Sequence, residues 1–113
     1  MRLKAKIDAN HSQVVAALRQ CGANVLSLAA LGAGVPDLLV CFHGQTVLVE
    51  VKDGDKPPSA RRLTPDQQQF HEQWRGKIYI VNSVEEAVFV LNELRKPIQP
   101  VCLPSETLPI ALT

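Results

Sequence analysis

A chain of 113 residues with 46% hydrophobic and 20% charged residues has the balance of one globular domain, large enough for a single modest core and too apolar to be disordered. A net charge of +1 excludes a non-specific nucleic-acid binder that works by bulk charge, and no apolar run reaches the roughly 20 residues of a membrane-spanning helix. Cys21, Cys41 and Cys102 lack Cys-x-x-Cys spacing and read as buried thiols of a reducing compartment, and His11, His43 and His71 show no metal-ligand spacing.

The N-terminal Met1-Arg2-Leu3-Lys4-Ala5-Lys6 is basic, but no apolar stretch follows it, so it is not read as a signal peptide and the cytoplasm is the expected location. Asn10 or Ser12 can cap a first helix that runs to about residue 20, with Val14, Val15 and Leu18 apolar and Gly22 as its stop. Residues 24–29 read as a strand. Leu31-Gly32-Ala33-Gly34 is a glycine-rich turn, but neither GxGxxG nor Gly-Lys-Ser/Thr follows, so it is not a phosphate-binding loop. Residues 38–42 and 47–49 are apolar runs separated only by His43-Gly44-Gln45-Thr46, which predicts a tight hairpin. A loop over 53–63 leads to Thr64, which caps a helix with Pro65 at its first position and Gln67 at its third, a capping-box start. That helix carries Phe70, His71 and Trp74 and stops at Gly76; a strand over 77–81 and a Ser83-capped helix over about 84–94 follow. The order is α-β-β-β-α-β-α, and the strand–helix–strand crossover implies a mixed four-stranded sheet flanked by helices.

Charge is uncommon in such apolar runs, because burying it unpaired is costly, yet Asp37 precedes the first run and Glu50 and Lys52 close the second. If His43 and Gly44 form the turn, Phe42 faces Gln45, and Asp37 falls opposite Glu50 with Cβ atoms about 4.5–5.5 Å apart. Lys52 shares their face, and the reverse face holds Leu38, Val40, Phe42, Val47, Val49 and Val51, all apolar. If the turn is Gly44-Gln45, Asp37 meets Lys52 and the three still share a face; a one-residue slip separates them. Two carboxylates so close repel unless a cation lies between them, which points to a metal site. The plainer reading makes Asp37 a strand start after Pro36, and Glu50 and Lys52 an ion pair on solvated sheet. Gln67 can likewise serve only the helix cap, with Gln68 as the neighbouring candidate if the helix phase differs.

Pro36-Asp37, the hairpin, Glu50-Val51-Lys52 and the Leu63-Thr64-Pro65-Asp66-Gln67 helix start together resemble the PD-(D/E)XK nuclease core and, within that superfamily, the VRR-NUC family, over about residues 8–91. The resemblance implies an α/β PD-(D/E)XK-like fold and a divalent-metal-dependent nuclease that hydrolyses phosphodiester bonds in DNA. By position, Asp37, Glu50 and the Val51 carbonyl would hold Mg²⁺ or Mn²⁺, Lys52 would orient or polarise water, and Gln67 would support the site. Family members often carry an acid on the first helix. Here Asp8 is the only nearby acid, a possible accessory ligand, and Asn10, His11 and Gln13 occupy the helical slots. Stand-alone copies of this size resemble phage and bacterial nucleases of branched DNA, so the cytoplasm would be a bacterial host's if the chain is phage-encoded. Holliday junction resolvases of the superfamily act as dimers, which implies branched or four-way DNA as substrate and a homodimer as the working form. Nothing implies an organic cofactor or a membrane. A nuclease-like module that binds DNA without cutting it is the alternative.

Local charge supports phosphate contact: Lys56, Arg61 and Arg62 cluster in the loop that follows the candidate site. After residue 96 the composition changes. Four prolines, Pro97, Pro100, Pro104 and Pro109, fall among apolar residues with Glu106 as the one charge. The expected organisation is therefore a nuclease-like domain over 1–96 and an extended proline-rich arm over 97–113, packed on its own domain or on a partner.

Overall fold

The computed structural model describes residues 9–96. The arm expected over 97–113, and with it Cys102, lies outside the described residues, as does Asp8. The first helix, α1 (His11–Gln20), turns Val14 and Leu18 inward, one turn apart. Strand β1 (Asn24–Ser27) is two residues shorter than the sequence predicts, because Ala29–Leu31 closes into a 3₁₀ turn in which Leu31 N–H donates to Leu28 O at 2.9 Å. Alanine and leucine have no β-branch to hold that segment extended.

The hairpin of β2 (Leu38–Phe42) and β3 (Gln45–Val51) turns on His43 and Gly44, whose φ values of 52° and 77° are both left-handed, as a two-residue turn matched to strand twist requires. Phe42 therefore faces Gln45, and of the two registers the sequence allows, the one that sets Asp37 across from Glu50 is formed. Helix α2 (Pro65–Gln73) starts with the expected capping box between Thr64 and Gln67 and carries the chain over to β4 (Ile78–Val81), which lies parallel to β3. Helix α3 (Val84–Arg95) closes the described chain, with Ser83 Oγ accepting from Glu86 N–H.

The strand order is β1-β2-β3-β4, antiparallel except for the last pair, so the mixed four-stranded sheet in the order α-β-β-β-α-β-α is formed. The six hairpin residues expected on the apolar face are all buried in one core. Val14 and Leu18 of α1 and Leu91 and Leu94 of α3 cover that face. Helix α2 buries no residue and lies on the other side, against Glu50. Among the described residues, one side of the sheet is thus sealed by two helices, and the other carries α2. The cysteines differ from expectation: Cys21 is exposed because it follows the last turn of α1, and Cys41, on the α2 side of β2, is half-buried.

Candidate active site

Asp37 sits immediately before β2, and the ladder ends one pair short of it, at Leu38 and Val49. Instead of extending the ladder, its Oδ2 accepts from Val51 N–H at 2.7 Å. In an extended strand the N–H and C=O of one residue point to the same side, so the Val51 carbonyl is directed to the Asp37 edge of β3. Lys52 N–H points the opposite way, to Val81 O at 2.8 Å.

Glu50 and Lys52 are the two charged residues of the buried set, 1% and 7% exposed, so their partners decide whether they are tolerable. Gln67 supplies them. Its Oε1 accepts from Lys52 Nζ at 2.7 Å and its Nε2 donates to Glu50 Oε2 at 3.2 Å. The amide orientation is dictated by its partners, since an ammonium only donates and a carboxylate only accepts. The same Oε1 accepts from Thr64 N–H at 2.9 Å, so Gln67 serves the helix cap and bridges Lys52 and Glu50 at once. Gln68 instead points outward, donating to Glu72 Oε2. Asp37, Glu50, Lys52 and Gln67 line one cleft of about 190 Å³, together with Lys56, Arg62 and Thr64.

No sequence-family model matches the chain, and no curated protein matches it. A solved structure described as a VRR_NUC domain does match, with a TM-score of 0.54 and 27% sequence identity, over 72% of this chain and 92% of that one. This likeness supports membership of the VRR-NUC family. The chain's sheet and helix order are those of that PD-(D/E)XK-like fold.

Other features of this domain are not legible in its sequence. Asn10, at the start of α1, makes no side-chain cap; its Nδ2 donates to Lys52 O and Asn82 O, both at 3.1 Å, and ties the helix to the ends of β3 and β4. Among the described residues no group of three or more His, Cys, Asp and Glu side chains is arranged to hold a metal ion. His71 has no ligand spacing to another histidine, and sequence reasoning misses it for that reason. It lies one turn beyond Gln67 on the same stripe of α2, with Nε2 3.7 Å from Glu50 Oε1, and the i, i+4 spacing from Gln67 is the available signal. Burial holds its imidazole below the ordinary value of 6.5, and the Lys52 ammonium adds to that effect. Both effects favour the neutral ring. Of the three loop cations, Lys56 and Arg62 line the cleft, whereas Arg61 does not. Arg61 is half-buried, and its Nε has no hydrogen-bond partner among the described residues.

Proposed function

We propose that this protein is a divalent-metal-dependent endodeoxyribonuclease selective for branched or four-way DNA. The observation that carries the reading is the convergence of Asp37, Glu50, Lys52 and Gln67 in one cleft, on the sheet side that the core does not use. Likeness to a VRR_NUC domain supports a PD-(D/E)XK-type nuclease and so a DNA substrate.

The residues present suit Mg²⁺ or Mn²⁺. Asp37, Glu50 and the Val51 carbonyl offer hard oxygen donors, and Mg²⁺ is commonly held by one or two carboxylates, with water and substrate phosphate completing the set. A bound ion of this kind would acidify water and neutralise charge on the phosphate. The chain's own residues do the rest. The Val51 amide fixes Asp37 by its Oδ2. Gln67 holds Glu50 and Lys52 at set orientations from the first turn of α2. The Lys52 ammonium orients the nucleophile and meets the negative charge that develops in the transition state. Lys56 and Arg62 bind backbone phosphates at the rim.

A second reading, a module that grips DNA without cutting, is favoured by the neutral Asn10 where α1 begins. A cleavage panel of linear, flapped and four-way DNA with Mg²⁺ or Mn²⁺ separates the two. Cleavage of branched substrates, abolished in Asp37→Asn and Glu50→Gln and slowed strongly in Lys52→Ala, is expected. The Asp37→Asn change keeps an acceptor for the Val51 amide while removing a like charge, so it should raise the melting temperature of the metal-free protein. Wild-type cleavage rates in either carboxylate variant would sink the assignment, and tight binding without cleavage would establish the module.

A further inference from the structure

The apparatus of α2 does not end at His71. Gln67, Phe70, His71 and Trp74 follow the i, i+3, i+4, i+7 spacing of one helical stripe. The first and third of these touch Glu50. Trp74, at the C-terminal end, lies on Phe70 with ring centroids 5.3 Å apart and planes 18° from parallel. Its indole edge rests over Gly76, where any Cβ would come within 2.7 Å of Nε1. The ring thus packs against a stacked neighbour and over a glycine, yet it remains 47% exposed. A large aromatic group stacked on one neighbour, with about half of its surface still in water, is shaped to receive a flat partner. Arg75 and Lys77, both exposed, flank it with positive charge, as Lys56 and Arg62 do at the cleft. A strand carrying phosphates and bases complements both ends of this stripe.

We propose that the open face of Trp74 is a stacking platform for an unpaired base of the DNA strand held at the site. Seven residues of helix separate it from Gln67, a rise of about 10 Å, which is the length of about three nucleotides. Stacking on an aromatic ring is indifferent to base identity and needs the base out of its pair, so Trp74 would select DNA with unpaired segments by structure and not by sequence. The proposal rests on the reading of the cleft as a DNA-cutting site.

Trp74 is the one tryptophan of the chain, so its emission reports stacking directly. The test uses the wild-type protein with Ca²⁺ in place of Mg²⁺, so that DNA is not cut, titrated with a splayed duplex bearing unpaired arms and with a blunt duplex of equal length. Anisotropy of labelled DNA reads binding independently. Strong quenching by the splayed DNA and little by the blunt duplex is expected. Trp74→Ala should weaken binding of the splayed DNA about tenfold, the equivalent of one stacked base, with less than about twofold loss on the blunt duplex, and Trp74→Phe should restore most of the difference. Bound DNA that leaves the emission unchanged, or equal weakening on both DNAs, overturns this proposal and leaves the nuclease reading standing. A Trp74→Ala variant whose sedimentation coefficient drops would assign the ring to a protein interface and overturn it as well. Failure of both DNAs to bind wild-type protein would sink the nuclease reading and this proposal together.

Discussion

Gln67 Oε1 accepts from both Thr64 N–H and Lys52 Nζ, so helix capping and site assembly share one atom. Its Nε2 faces Glu50, whose other oxygen lies near His71. His71 makes the site sensitive to acid. In the folded protein its imidazole resists protonation, because burial and then Lys52 lower its affinity for a proton. In the unfolded chain it takes the proton at its ordinary value of 6.5. The unfolded state is thus the better proton binder at acid pH, and stability is full above 6.5 and lost as pH falls below it. Melting curves of the metal-free protein from pH 7.5 down to 5.5 should show this decline, and His71→Gln should flatten it over the same range. An unchanged profile in His71→Gln would place the acid sensitivity elsewhere.

Among the elements, α2 is positioned by a glycine. Gly34 has a φ of 81°, and a Cβ there would overlap the Asp66 carbonyl in the first turn of α2. The turn 32–34 and the helix start can meet this closely only without a side chain at 34. Gly34→Ala would strain the left-handed backbone and push α2 outward, carrying Gln67 away from Glu50 and Lys52. The expected result is a loss of about 1–3 kcal/mol in chemical denaturation together with a large fall in cleavage rate. Gly32→Ala, where nothing lies within 4 Å of the added Cβ, should cost stability through its φ of 62° but spare the rate by comparison. Equal rates in the two variants would show that α2 is not held by this contact.

At the scale of the whole molecule, net charge is near neutral, so DNA affinity must come from local cations. Lys56 and Arg62 line the cleft and Arg61 does not. Replacing Lys56 and Arg62 with alanine should flatten the plot of log affinity against log salt by about two units, and adding Arg61→Ala should change it little. An unchanged slope in the double variant would put the DNA on another surface. Assembly belongs to the same scale. A homodimer built through residues 97–113 is the expected state, because that apolar, nearly uncharged segment is a liability in water. Two related sites would suit paired incision of a four-way junction. Sedimentation equilibrium at micromolar concentration should find a dimer for the full chain and a monomer for a chain ending at Lys96. A dimer that survives truncation would locate the interface within the first 96 residues.

Much of this architecture follows from local chemistry. Alternation in 38–42 and 47–49, the His43-Gly44 turn and the Thr64-Pro65-x-Gln67 cap each specify short-range structure, and the hairpin register then places Asp37, Glu50 and Lys52 together. These contacts lie close in sequence, so a pattern of residue types suffices to read them. What remained open depended on where α1 and α2 dock. Asn10 reads as a cap, but its side chain reaches Lys52 and Asn82, which are 42 and 72 residues away in sequence. His71 reads as a solitary histidine on a helix, and only the seating of α2 across β3 sets it against Glu50. Arg61 and Arg62 are neighbours of one composition, and the 3₁₀ turn over Pro58–Arg61 sends one to the cleft and half-buries the other. Side-chain direction across such distances is decided by packing, which leaves no periodic mark on the chain.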